Sequence, residues 1–316
     1  MKAAVLDENG LRFDDAYQAT PLPEEVSVRV SLAGICETDL QLVQGYMNFR
    51  GVPGHEFAGV VEEGPLTGKR VTAEINCGCH DCDYCRDGLA NHCPHRTVIG
   101  IFEHDGAFAE IVYVPARNLH LVPDEVSDRE AVFAEPLAAA FQIGEQVKLT
   151  DHKEVAVIGD GRMAFLIAQV LRLQGLHVTV VGKHENKLQR FQSLGLETFR
   201  LESAPARRRF SLAVDCTGSP TGIPTALQFL RPRGTLVLKT TTSDATGPPL
   251  APVVIDEIQI VGSRCGPFPP ALQALQAKEV SVEPLVTATF PLNDVNEAFV
   301  AAASPQHGKV LLAPGG

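Results

Sequence analysis

Four cysteines, Cys79, Cys82, Cys85 and Cys93, stand in the pattern C-x2-C-x2-C-x7-C. Four thiolates at this spacing close a tetrahedron around zinc, each at about 2.3 Å. With every position filled by protein, no place is left for a substrate, so such a zinc is structural and its binding helps to fold the lobe around it. Of the other four cysteines, Cys77, Cys216 and Cys265 read as bystanders. Cys36 belongs to a second, dispersed group of ligand-type residues. That group comprises Cys36 in Gly34-Ile35-Cys36-Glu37-Thr38-Asp39, His55 and Glu56 after Gly54, and Glu135 ahead of Pro136. Each alone has an ordinary reading, as a buried thiol, a surface imidazole or a helix-starting acid.

A third constellation is Gly159-Asp160-Gly161-Arg162-Met163-Ala164, with the spacing G-x-G-x-x-A. It follows the apolar run 155–158 and opens an apolar helical stretch. The first glycine permits a tight turn, the second lets backbone approach a pyrophosphate, and the third position needs only a small residue. The helix start at Arg162 and Met163 would then present amides to the phosphates. About twenty residues on, a binder of NAD places an acid against the ribose 2′-hydroxyl. Here the second strand ends in Gly182-Lys183-His184, which has no carboxylate and two basic side chains. That ending favours NADP over NAD, with Glu185 as the acid if NAD is used instead.

These residues must be held by two kinds of structure. Residues 1 to about 120 carry short alternating runs (26–30, 58–62, 109–114) punctuated by glycine and proline, an antiparallel, barrel-like pattern. Near 130 the texture changes. A helix is expected over 131–147, followed by alternating strands (155–158, 178–181, 212–214, 235–238, 259–261) and helices, the mark of βαβ units and a parallel sheet. The stretch 266–270 reads as a crossover, followed by helices near 271–278 and 294–303 and a last strand at 309–312. The run Arg207-Arg208-Arg209 reads as a solvated face.

The 316 residues suggest about two domains. Hydrophobic residues make up 45% and charged residues 21%, which excludes long disorder and repeat or collagen compositions. The net charge of −11 argues against nucleic acid as a partner. No stretch approaches the roughly 20 apolar residues of a membrane span, and no apolar signal core opens the chain. A cytoplasmic, reducing location follows as the expectation, in which clustered cysteines bind metal rather than pair.

Taken together, Gly34 to Asp39, Gly54-His55-Glu56, the four-cysteine lobe, Glu135-Pro136-Leu137 and the glycine turn occur in the order of the zinc-dependent medium-chain dehydrogenase/reductase family. The chain resembles its polyol and threonine dehydrogenase branch over essentially its whole length. The resemblance implies an α/β architecture. A GroES-like β-barrel catalytic domain (1–128, completed by 266–316) would flank an inserted Rossmann domain with a doubly wound parallel sheet (129–265). It implies that Cys36, His55 and Glu135 bind a catalytic zinc, with Glu56 as an additional or exchanging ligand. Asp39 would orient His55, and Thr38 would bond the substrate hydroxyl and begin a proton relay. Zinc would acidify a bound alcohol or polyol, or in the reverse direction polarise the matching carbonyl compound, while hydride passes to or from NADP(H). A homodimer or homotetramer is implied as well.

The chain departs from the family at Gln41, where relatives carry a relaying histidine, at Glu37 and His80, where glycine is usual, and in its shortness, which implies trimmed loops around the substrate. The alternatives are an NAD-dependent sugar, sorbitol-like or threonine-like dehydrogenase and, from another class, a zinc-stabilised binding protein without turnover. A scaffold has no need for Cys36, Thr38, His55 and Glu135 together.

Overall fold

The alternation at residues 26–30 lies within strand Glu25–Gly34, where Val28 and Val30 are buried and Arg29 between them faces solvent. Period-two burial of this kind sets the register, because a slip by one residue would turn every valine outward. The strand pairs antiparallel with Glu56–Val61, Ile111–Pro115 and Lys309–Ala313. Strand Val286–Pro291 lies parallel to Lys309–Ala313, so the end of the chain joins the sheet begun near its start. The computed structural model describes residues 1–204, 208–240, 250–304 and 306–315. The chain divides into two compact units, one of Met1–Glu135 with Ala271–Gly316 and one of Pro136–Pro270.

In the first unit the register carries the chemistry. Gly34 pairs with Glu56 across the sheet. Cys36, two residues beyond Gly34, and His55, one before Glu56, are therefore neighbours despite lying far apart in sequence. Gly34 is also tightly enclosed, since a Cβ there would come within 2.8 Å of Val132 and 2.9 Å of the Glu56 carboxylate.

The second unit holds a six-stranded parallel sheet among the described residues. Its order is Glu197–Arg200, His177–Gly182, Glu154–Ile158, Phe210–Asp215, Leu230–Leu238, Gln259–Gly262. In chain order this is 3-2-1-4-5-6, the doubly wound arrangement that leaves a crevice beyond the strand ends where the order reverses. The reversal falls between Glu154–Ile158 and Phe210–Asp215. Val155, Val157 and Val214 are fully buried, as strands covered on both faces require.

The helix expected over 131–147 is instead two, Asp128–Ala131 and Ala134–Gln146, and two further elements differ from the sequence expectation. Strand Glu197–Arg200 was not expected, because Glu-Thr-Phe-Arg has no apolar run; it is a short outer strand, none of it fully buried. Helix Phe268–Gln276 starts inside the stretch read as a crossover. Pro269 and Pro270 sit in its first turn, where a missing N–H costs nothing. Arg207 lies outside the described residues. Arg208 and Arg209 pair at the surface with Asp256 and Glu154. Among the described residues no helix is long and apolar enough to cross a membrane.

Candidate functional site

The four-cysteine lobe is gathered as its spacing requires. The sulfurs of Cys79, Cys82, Cys85 and Cys93 all lie within 4.8 Å of one another. Cys93 Sγ is 3.5 Å from that of Cys79 and 3.7 Å from that of Cys82. Ligands about 2.3 Å from a tetrahedral centre stand about 3.8 Å apart, so these separations suit zinc and are far too long for disulfides. Amides of Asp81 and Cys82 pull the Cys79 thiol down to about 6, whereas burial and the neighbouring sulfurs push Cys85 up to about 12. Four ionised thiols cannot share this space without a cation, and the donor set fits one. None of the eight cysteines is in a disulfide, and Cys77, Cys216 and Cys265 belong to neither ligand group.

The second group forms at the Gly34–Glu56 register. Cys36 caps helix Glu37–Val43, and its amide donates to Asp39 Oδ2 at 2.8 Å. Ligand atoms of Cys36, His55 and Glu56 lie within 4.8 Å of one another. His55 and Glu56 are buried, and Asp39 is wholly so. Asp39 Oδ1 stands 3.4 Å from His55 Nδ1, and neither atom has a well-formed hydrogen bond. Burial works against a charged His55 ring, but Asp39 and Cys36 more than offset it and raise its pKa well above the ordinary value. A half-buried thiol beside a buried imidazole and carboxylate, with orphaned polar atoms next to them, calls for positive charge, and a divalent cation fits the set. Thr38 Oγ1 lies 4.0 Å from Cys36 Sγ.

Glu135 is not brought into that cluster. It occupies the first turn of helix Ala134–Gln146, and burial pushes its carboxyl up to about 7. The charges of His55 and Lys309 act against that rise, and those of Glu56 and Glu74 add to it. Lys309 was not anticipated from sequence. Its ammonium reaches the Glu56 carboxylate and also donates to the Ile35 carbonyl at 3.4 Å. The signal was a lysine at the head of an otherwise apolar strand, Lys309–Ala313, where a charge needs a partner.

In the second unit Gly159 has φ +129°, and a Cβ there would lie 2.8 Å from the Cys216 carbonyl, so only glycine fits the turn. Gly161 caps helix Arg162–Leu173 without a side chain. A Cβ on Gly161 would meet nothing within 4 Å, so this face of the turn is open to a ligand. Ala164 is fully buried. The turn thus fits a pyrophosphate approaching a helix N-terminus.

Lys183 and His184 follow Gly182 at the end of strand His177–Gly182 and are exposed. Sequence reasoning passed over Asp160, the variable residue of the glycine motif. Its Oδ2 accepts from the amides of Lys183 (2.7 Å) and His184 (2.8 Å), and the His184 ring donates to it as well. Burial opposes the charge, but the amide and side chain of His184 and the amide of Lys183 hold the Asp160 carboxyl below the usual range.

Two family models match the chain, the alcohol dehydrogenase GroES-like domain over residues 22–124 and the zinc-binding dehydrogenase over residues 163–277. The chain is 27% identical to sorbitol dehydrogenase of Halalkalibacterium halodurans, over 99% of each. A crystal structure of the short chain alcohol dehydrogenase rspB from Escherichia coli CFT073, complexed with NADH, is similar with a TM-score of 0.89 at 28% identity, covering 99% of both chains. A zinc-binding dehydrogenase from Sinorhizobium meliloti 1021, bound to NADP, shares the fold with a TM-score of 0.88 at 23% identity, again over 99% of both.

Proposed function

Because the chain belongs to the zinc-dependent medium-chain dehydrogenase/reductase family, whose alcohol and polyol members oxidise CH–OH groups, we propose that its reaction is carried out around Cys36 and His55. The chain is an alcohol/polyol oxidoreductase that uses zinc and a nicotinamide coenzyme. The observation that carries the site assignment is the cluster of half-buried Cys36 with buried His55 and Glu56, set beside an Asp39–His55 pair with unsatisfied atoms.

In this reading Cys36, His55 and one carboxylate, Glu56 or Glu135, hold the catalytic zinc, and Cys79, Cys82, Cys85 and Cys93 hold the structural one. When bound, the catalytic zinc supplies Lewis acidity toward a substrate hydroxyl, and the nicotinamide supplies the hydride chemistry. Asp39 fixes the orientation of the His55 ring. Lys309 offsets the charge of Glu56, so the cluster does not carry the full repulsion of a thiolate and two carboxylates. During oxidation the Thr38 hydroxyl accepts the proton of the substrate hydroxyl as its own proton passes on towards solvent, and during reduction the relay runs in reverse. Gln41 has no titratable group, so the proton leaves Thr38 without a relaying imidazole at that position.

The coenzyme lies against Gly159, Gly161, Arg162, Met163 and Ala164, with Gly182, Lys183 and His184 near the adenosine ribose. Both NADP(H) and NAD(H) are compatible with the turn. The substrate is a small secondary alcohol or polyol, or its carbonyl partner, in keeping with a sorbitol dehydrogenase among the relatives. An oligomer of two or four copies is supported by the outer strand Gln259–Gly262, with Ile260, Val254 and Ile255 exposed in its vicinity. A cytoplasmic location is supported by eight cysteines without a disulfide among them, four of them packed together.

A panel of polyols, secondary alcohols, sugars and aldehydes, assayed with each coenzyme with and without a zinc chelator, tests this reading. Turnover of at least one CH–OH substrate, abolished by the chelator and restored by zinc, is expected. Activity indifferent to chelation would exclude a catalytic zinc at Cys36.

A further inference from the structure

In doubly wound dinucleotide folds the acid that reads the adenosine ribose stands at the end of the second strand. Here that strand ends in Gly182, which has no side chain, yet the place beside it is taken. A Cβ on Gly182 would lie 2.7 Å from Asp160 Oδ2, 2.7 Å from Asp160 Cβ and 2.9 Å from Leu188. The carboxylate of Asp160, reaching across from the turn after the first strand, occupies the space where a side chain at 182 would begin. A side chain at 182 and the present position of Asp160 are mutually exclusive.

We propose that Asp160 is the acid that reads the adenosine ribose, accepting from its 2′-hydroxyl and rejecting a 2′-phosphate, so that the coenzyme taken is NAD(H). The inference rests on the dinucleotide reading of the glycine turn.

Three features of the geometry support it. First, Asp160 is clamped. Its Oδ2 holds the amides of Lys183 and His184, and its side chain is only 9% exposed. An ionised carboxylate only accepts, so the His184 ring nitrogen that faces it must be the donor. Second, Oδ1 carries only the 3.1 Å contact from that ring among the described residues, so acceptor capacity remains for a hydroxyl.

Third, the groups that residue type alone would offer to a 2′-phosphate are committed. Both main-chain amides at the strand end already donate to Asp160, and so does one nitrogen of His184. The Lys183 ammonium is left to attract a phosphate, but that phosphate would sit against a fixed carboxylate of like charge at short range. Glu185, the other acid near the strand end, is exposed at the first position of helix Glu185–Ser193 and makes no part of this clamp.

The test is calorimetric titration of the zinc-loaded protein with NADH and with NADPH, which reads binding without turnover. Wild type is expected to bind NADH at least about tenfold more tightly than NADPH, the scale of a hydrogen bond to a charged group. Asp160→Asn should narrow that ratio about tenfold or more, and Glu185→Gln should leave it unchanged. The double variant Asp160→Ala with Gly182→Asp moves the acid to the strand end and should restore the NADH preference. Circular dichroism establishes that each variant is folded. Equal or tighter binding of NADPH by wild type, an unchanged ratio in Asp160→Asn, or a ratio that responds to Glu185→Gln instead would overturn the assignment. Absence of binding for both coenzymes would overturn the dinucleotide reading of the turn as well.

Discussion

Lys309 and Glu56 form an ion pair in which only 4% and 1% of the two side chains are exposed. Glu56 adjoins His55 in sequence, and Lys309 enters from the last strand, so the final segment of the chain sets the charge balance beside the metal-ligand cluster. A buried charge deprived of its partner is strongly destabilising, by about 3–5 kcal/mol. Lys309→Met should therefore lower the unfolding free energy by that order. Adding Glu56→Gln should recover part of the loss, because no unpaired charge then remains. Urea titrations of wild type and both variants measure this, and a near-wild-type midpoint for Lys309→Met would show that the pair contributes little.

The cysteine lobe should answer to removal of a single thiol. Cys82→Ala leaves three sulfurs, which neither close the tetrahedron nor tolerate one another's charge. The variant should purify with about one zinc fewer per chain and melt at a lower temperature. Cys77→Ala, two residues before the lobe's first ligand, should keep the full zinc content. Elemental analysis beside thermal melts gives the comparison, and full zinc content in Cys82→Ala would remove the lobe as a metal site.

His104 predicts a pH dependence of stability. Its ring bonds Glu25 at 2.7 Å and the Asp105 carbonyl at 2.6 Å. Burial alone would lower its pKa, but hydrogen bonds to Cys77 and Glu25 outweigh burial and raise it from 6.5 to about 10. A group whose pKa is higher when folded stabilises the fold fully below its unfolded pKa. That contribution is lost progressively as pH rises from 6.5 through about 10. His104→Gln should be less stable than wild type near neutrality, with the difference shrinking toward pH 10. Denaturation at a series of pH values provides the readout, and a difference that grows with pH would reverse the sign and exclude a charged His104.

Thr38 carries a prediction separable from binding. Thr38→Ala should lower kcat about a hundredfold, within the usual range for a positioned proton-transfer group, while coenzyme affinity stays unchanged. Thr38→Ser keeps the hydroxyl and should keep most of the rate. Equal losses in both variants would assign Thr38 a packing role instead.

The parts legible in the sequence are those whose information is local. The four lobe cysteines fall within one short stretch of sequence, and the glycine turn lies between an apolar strand and an apolar helix, so spacing alone points to both. The valine alternation at 26–30 likewise announces a half-buried strand. Strand Glu197–Arg200 was illegible because an outer strand needs no apolar run. The grouping of Cys36 with His55 depends on the pairing of Gly34 with Glu56, a long-range register that composition does not reveal. Lys309 escaped notice because its partner is 253 residues away. Asp160 escaped because the motif treats its position as variable, and its role depends on how close the turn comes to Gly182.

The central claim is that this chain holds two zinc ions with different duties and that only the one at Cys36 and His55 serves catalysis. It is tested most directly by measuring zinc per chain and polyol-dependent coenzyme reduction together on Cys36→Ser. The account predicts a folded protein that retains the lobe zinc, loses the other and shows no measurable turnover. Wild-type turnover in Cys36→Ser, or loss of both zinc ions with loss of the fold, would contradict it.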